Sequence, residues 1–492
     1  MHLRAQKHKN AFWLILGLAL MLRLWNLNLP FIEPYNSMTR QSMVAEITRN
    51  FYENGFNFFN PEIDEGGKGP YLFNGEMPIT AYLAALLYGF TRGVHEWAAR
   101  AVSVLASMGM LFFLYLLIKK LAGRKRALIA VLFAALSPIH LALSRSIQAE
   151  ATMLFASVGA LYTIYAYFDT KKIAYYFSSC FLLWLAIVSK AHALYLCLPI
   201  AFIAWHYRGR ALFKDPKSYA YAAVILIALA WYAYMYRLSS TGQLVYSGTL
   251  RYGQGDAYSD ITRLFQARYF ISSLKIFFIH VLTPAGTVLF LAGLRGRKEF
   301  ADRFFLVWLF GVLVYMVIFW PTFIDHSYYQ LPFVPPLAYF VAKGSEGIAG
   351  FLRKNRVMGR IGIAVLAGTT LLGLAYLYRG LYFIPKEAMA IVQAGSAVDS
   401  LTEKDSLVVV TGGTPALLYY SVRKGWEFYP SEQGAAELEG LRNKGAGYLV
   451  VMTRRPLGDR AAWFDPYLRS HYRVVSENVD YALFDLKRPL FN

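Results

Sequence analysis

Few residues in this chain could do chemistry, and they sit at the edges of apolar runs. Glu76 stands in NGEMPITAYL, Arg145 and Glu150 in SRSIQAEATMLF, Lys190 and His192 in LAIVSKAHALYLCLPI, and Asp325, His326, Tyr328 and Tyr329 in FIDHSYYQLP. A carboxylate at an apolar boundary holds protons more tightly than one in water, so Glu76 suits general-base work, while Arg145 and Glu150 sit near apolar helix ends, where charges facing a bundle are more often functional than surface ones. A lysine between two apolar runs needs an anion, either a phosphate or a carboxylate such as Glu150. His326, a loop histidine beside a membrane, can bind phosphate or pass a proton. Each residue also has a plainer reading. Glu76 can complement a helix N-terminus, Arg145 and Glu150 can form an interface salt bridge of little energetic weight, and the two tyrosines can belong to an aromatic belt.

The elements that position these residues are membrane spans. The 492 residues are 57% hydrophobic and only 16% charged, whereas soluble chains run near a quarter charged. The net charge of +20 lies in short clusters between apolar runs, which excludes a nucleic-acid partner and marks cytoplasmic loops. Spans of roughly 20 apolar residues are predicted near 11–29, 97–118, 127–143, 151–168, 173–189, 191–206, 218–236, 274–294, 304–321, 330–346 and 361–380. With one or two more short helices, the expectation is a mainly α, polytopic membrane protein of about 11–13 transmembrane helices. The first run is long and no small-residue cleavage site follows it, so it reads as a retained span. Cys180 and Cys197 lie inside apolar runs and read as packing residues.

Basic clusters occupy every second loop: MHLRAQKHK, KKLAGRKR, TKK, HYRGRALFKDPK, GLRGRKEFADR and RKNRVMGR. The positive-inside rule makes these loops cytoplasmic, together with the N-terminus. The other loops then share the opposite, periplasmic or extracellular face of a cytoplasmic membrane. They are 30–96, SRSIQAE, VSKAH, 237–273 and PTFIDHSYYQLP, joined by the region from 381 onward. Two parts are expected: a membrane part over 1–380 and an extracytoplasmic α/β domain over 381–492.

Within the first outer loop, Met38, Val44, Ile47 and Phe51 have helical spacing and predict an amphipathic helix on the membrane surface. Residues 60–78 are Gly- and Pro-rich and read as loop, and 78–90 as a re-entrant or surface helix. The tail alternates strand and helix: SLVVVT, TPALLYYSVRKG, WEFYP, EQGAAELEGLRNKG and GYLVVM, then a closing hairpin in YRVVSENVDYALFDL. TGGTPALLYY lacks both the Lys-Ser/Thr of a P-loop and GxGxxG spacing, and reads as a tight turn.

The ordered pieces EMP, GVHEWAAR, KKLAGRKR, SIQAEA and VSKAH resemble the C-type membrane glycosyltransferases, in particular the aminoarabinose transferase and protein O-mannosyltransferase superfamily. The resemblance spans residues 1 to about 380, and the tail matches only in position and general character. It implies a sugar donor carried on a polyprenyl phosphate. It also places Glu150 at a family acid position, Lys190 at the phosphate-contacting lysine, Glu76 before the surface-helix proline, and His326, Tyr328 and Tyr329 in an HxYYxLP-like turn. The sequence departs from the family in the first loop. Arg40 and Gln41 stand where an Asp-Glu pair is usual, and Met77 stands where the aminoarabinose transferases have lysine. A first-loop catalytic aspartate therefore does not carry over.

The resulting expectation is sugar transfer to a hydroxyl or phosphate of an envelope lipid, glycan or protein on the non-cytoplasmic face, with inversion if displacement is single. Glu76 or Glu150 is the base. Lys190, Arg40 and Arg145 hold the phosphate, with His326, Tyr328 and Tyr329 beside it. Arg251, Arg263 and Arg268 of the 237–273 loop help the tail to recognise the acceptor. No cofactor is required, because fixed cations already face the phosphate; a divalent metal is compatible with this scheme but not indicated. The alternatives are a flippase for lipid-linked sugars, which needs polar residues deep in several spans, and a non-catalytic assembly or sensor protein.

Overall fold

The computed structural model describes residues 2–32, 38–73, 75–239, 244–246, 271, 274–296, 298–320, 326–354, 356–412, 415–430, 434–453 and 463–490. The fold is mainly helical and polytopic. Six described stretches are long and apolar enough to cross a membrane, and Asn10–Leu24, Ile79–Thr91 and Ile173–Ser189 are shorter apolar helices.

The first ten helices carry the argument: α1 (His2–Leu24), α2 (Met38–Glu53), α3 (Ile79–Thr91), α4 (Glu96–Ala122), α5 (Arg124–Leu136), α6 (Pro138–Leu143), α7 (Ala149–Thr170), α8 (Ile173–Ser189), α9 (Cys197–Arg208) and α10 (Pro216–Ser239). Further helices span Thr283–Gly293, Phe300–Ile318, Val334–Lys354 and Arg356–Tyr382. The predicted span 127–143 is broken at Ser137, because Pro138 opens α6 and cannot continue α5. The predicted span at 191–206 starts with a 3-10 turn, Ala191–Leu196, before α9. Helices Thr283–Gly293 and Val334–Lys354 cross so closely that a Cβ on Gly344 would lie 1.8 Å from the Leu289 carbonyl oxygen. Only glycine permits that backbone approach.

α7 and α8 form an antiparallel hairpin, turned by Lys171 in the left-handed region (φ 59°). At 1.5 Å per residue both helices run for roughly 25–35 Å. The hairpin therefore returns the end of α8 to the start of α7, which brings Lys190 alongside Glu150.

Two buried arginines organise the exit from α1. Arg145 donates to the carbonyls of Leu22, Arg23, Trp25 and Asn26 at 2.5–3.3 Å, and its guanidinium lies 4.4 Å from the Tyr382 ring centroid. Arg100 donates to the carbonyls of Leu27, Leu29 and Pro30. A helix C-terminus leaves carbonyls without intrahelical partners, and a cation there also complements the dipole.

The loop that follows α1 and the tail pack together. The tail holds a five-stranded sheet in the order β5-β4-β6-β8-β7, formed by β4 (Leu407–Thr411), β5 (Gly425–Glu427), β6 (Ala446–Met452), β7 (Tyr472–Glu477) and β8 (Tyr481–Pro489). Its β5-β4-β6 half is parallel and its β6-β8-β7 half antiparallel. Each strand falls where alternation predicts it. Helices Lys386–Leu401 and Phe464–His471 are additions. α2 is present as predicted, but it does not rest on a surface: Gln41 through Phe51 are all buried. The tail covers its polar side. Arg49 pairs with Asp64 and donates to the Tyr419 carbonyl at 2.7 Å, while Lys424 pairs with Glu62. Residues 60–78 are also more than loop. β1 (Glu62–Ile63) and β2 (Tyr71–Phe73) pair antiparallel, and β2 pairs parallel with β3 (Leu244–Tyr246). These strands are too short for a pattern, so pairing partners distant in sequence define them.

Candidate functional site

Three segments meet at one end of the α7–α8 hairpin. Glu150 lies in the first turn of α7, where the helix dipole favours an anion. Lys190 follows the last residue of α8 with extended backbone (φ −158°, ψ 120°), and its amide N–H caps the helix on the Ala186 carbonyl at 3.0 Å. Glu76 is on the turn between β2 and α3. That turn is pinned by the Met77 N–H to the Val188 carbonyl at 2.9 Å and by the Trp231 indole N–H to the Gly75 carbonyl at 3.0 Å. Arg40 comes from the first turn of α2.

The charges alternate. Arg40 pairs with Glu76. Lys190 Nζ lies 3.5 Å from Glu76 Oε1 and 2.8 Å from Glu150 Oε1. The Lys190–Glu150 contact is an ion pair off the hydrogen-bonding direction, so both Glu150 oxygens lack a hydrogen-bond donor among the described residues. All four groups are largely shielded from solvent, with side-chain exposures of 12% or less. Burial favours the protonated form of Glu76, but the Arg40 and Lys190 charges outweigh it and hold the carboxyl down to about 2. Burial likewise disfavours charged Lys190, yet Glu150 and Glu76 raise its affinity for the proton.

Aromatic rings wall the cluster. Lys190 Nζ lies 5.6 and 5.7 Å from the ring centroids of Tyr328 and Tyr329, and Arg40 lies over Phe73 at 4.7 Å. His326 stacks on Tyr328 at 5.1 Å, one ring away from the lysine. These tyrosines belong to the 3-10 turn Ser327–Phe333.

The structure thus brings together Arg40, Glu76, Glu150, Lys190, Tyr328 and Tyr329, with His326 at the edge. Arg145 is a correction. Its guanidinium is directed to the carbonyls at the end of α1 instead of the cluster, because a short loop held against a helix C-terminus supplies acceptors at close range. Arg251, Arg263, Arg268 and Asp325 lie outside the described residues. One plain reading of the charges holds: Lys190 has Glu150 as a partner, so Glu150 pairs with the lysine and not with Arg145. The cluster nevertheless retains donor capacity, since an ammonium carries three N–H groups and a guanidinium five. Sequence reasoning names His192 but assigns it no role; the structure stacks it on Tyr315 at 4.4 Å. Its place two residues from Lys190 was the available signal.

Comparisons with known proteins bear on this arrangement. The dolichyl-phosphate-mannose-protein mannosyltransferase family profile matches residues 75–234, which hold Glu76, Glu150 and Lys190. Two Bacillus subtilis (strain 168) proteins are similar. "Putative mannosyltransferase YkcB" is 24% identical over 203 residues, which is 41% of this chain and 27% of that protein. "Putative mannosyltransferase YycA" is 24% identical over 191 residues, 38% of this chain and 27% of that protein. The chain therefore spans about a quarter of the length of these curated relatives. Among solved structures, ArnT from Cupriavidus metallidurans bound to undecaprenyl phosphate superposes with a TM-score of 0.63 at 13% identity, over 96% of this chain and 97% of that one. The Archaeoglobus fulgidus oligosaccharyltransferase in its apo form gives 0.57 at 14% identity, over 90% and 70%. The fold is that of the C-type membrane glycosyltransferases.

Proposed function

We propose that this chain is a membrane glycosyltransferase that moves a sugar from a polyprenyl-phosphate donor to an acceptor of the cell envelope. The observation that carries this reading is the meeting of Arg40, Glu76, Glu150 and Lys190, drawn from separate outer segments, in a fold shared with a protein solved with undecaprenyl phosphate. The alternation of basic loops supports a cluster and tail on the non-cytoplasmic face of a cytoplasmic membrane. The acceptor is a lipid, glycan or protein hydroxyl or phosphate, and the tail with Arg251, Arg263 and Arg268 contributes to its recognition.

In the proposed step, Lys190 and Arg40 re-pair from the carboxylates to the donor phosphate. They stabilise the charge that grows as the bond from the anomeric carbon to phosphate oxygen breaks. The phosphate leaves with that electron pair. The acceptor oxygen forms the new bond to the anomeric carbon from the opposite side, and a hydroxyl acceptor gives its proton to Glu150 or Glu76. A single displacement inverts the anomeric centre. Glu76 is a weak base while Arg40 and Lys190 hold it, so it serves as base only after those cations turn to phosphate.

The test measures polyprenyl phosphate release by the purified full chain with Glu76→Gln, Glu150→Gln and Lys190→Ala. Loss of release in at least one carboxylate variant and in Lys190→Ala is expected. Near-normal release by all three, while folded, removes the assignment. A flippase or an assembly protein would release none, even as wild type.

A further inference from the structure

Lys190 has a neighbour that the scheme above does not use. His192 is 6% exposed, and its Nε2 has no hydrogen-bond partner among the described residues. The ring is nonetheless fixed. It stacks on Tyr315 with centroids 4.4 Å apart and planes at 20°, and meets Tyr329 edge-on at 5.5 Å. Tyr329 also flanks the Lys190 ammonium. Through Tyr329, which both side chains meet, the imidazole borders the same cluster. A buried polar atom without a partner costs about 1–3 kcal/mol, and a phenyl ring would fill an aromatic slot without that cost. The nitrogen is thus explained by a partner that arrives with a ligand.

We propose that His192 is a further donor-binding residue, giving a hydrogen bond from its imidazole to a phosphate oxygen that Lys190 neutralises. This rests on the polyprenyl-phosphate reading above. The aromatic slot supplies orientation, Lys190 supplies charge, and His192 supplies direction.

The experiment measures binding of undecaprenyl phosphate to the purified full chain in detergent. His192→Phe keeps the stacking ring and removes the hydrogen bond. His192→Asn keeps a donor and gives up most of the stacking. The expected result is about tenfold weaker binding for His192→Phe, as for one lost hydrogen bond, less than about threefold for His192→Asn, and a larger loss for Lys190→Ala. Wild-type affinity in His192→Phe, with Lys190→Ala impaired, overturns the His192 assignment alone and leaves the ring as a spacer or as a contact to the sugar. Wild-type affinity in Lys190→Ala overturns the phosphate reading itself. If His192→Phe does not fold, His192→Asn decides, since a tenfold loss there contradicts a role that asparagine can fill.

Discussion

Lys190 Nζ stands 2.8 Å from Glu150 Oε1, joining the end of one helix to the start of the helix before it across 40 positions of sequence. Both groups are buried. Removing the lysine leaves Glu150 without its cationic partner and Glu76 with Arg40 alone. Breaking a buried pair from one side costs roughly 3–5 kcal/mol. Lys190→Ala is expected to lower the melting temperature clearly and to abolish sugar transfer. Lys190→Arg should restore stability more than activity, because a planar guanidinium keeps the charge without the ammonium's compact geometry. Thermal melting and release assays on the same preparations check this.

Glu76 gives a pH signature. Its carboxyl titrates at about 2 when folded, against an ordinary 4.5. A depressed carboxylate stabilises the fold above the unfolded pKa, and that stability is lost as pH falls through the folded value. The contribution at neutral pH is roughly 3 kcal/mol. The melting-temperature gap between wild type and Glu76→Gln should stay level above pH 5 and close between about pH 4.5 and 2. A gap that widens on acidification contradicts the ion pair. Between pH 5 and 9 no inflection in activity should come from the Glu76 carboxyl of the unliganded protein.

Arg145 separates structure from chemistry. It satisfies carbonyls of Leu22, Arg23, Trp25 and Asn26, each costly to leave unpaired when buried. Arg145→Ala should destabilise by roughly 3 kcal/mol or more. Activity per folded molecule should stay within about threefold, since a structural group makes no transition-state contact. A selective loss of polyprenyl phosphate affinity would return Arg145 to the phosphate site.

The tail is clasped to the first loop through Lys424 and Glu62. Reversing one charge, as in Lys424→Glu, should loosen the contact. The double exchange Lys424→Glu with Glu62→Lys should recover it, with a coupling energy on the order of 1 kcal/mol. Limited proteolysis at the β4–β5 connection reads the outcome. Additive effects of the two substitutions would refute the pairing.

Much of this architecture is legible in the chain itself. Apolar runs, basic clusters and the strand–helix rhythm of the tail are local patterns, because transfer of a segment into lipid depends on the composition of that segment. Glu76, Glu150 and Lys190 could be singled out the same way, as charges set against apolar runs. α2 was harder to read. Its spacing specifies a helix with one apolar side, while the cover over its polar side comes from Asp64 in the same loop and from Tyr419 of the tail, far along the chain.

Sequence alone determined that this is a membrane protein, where most of its apolar helices run, and which few polar residues could meet at one face. Tertiary structure decided which of them do. Arg40 and Arg145 look equally cationic in the sequence, yet one pairs with Glu76 and the other holds the end of α1. The reason is physical: a long side chain is directed by the acceptors within its reach, and those acceptors are set by helices packed from distant parts of the chain.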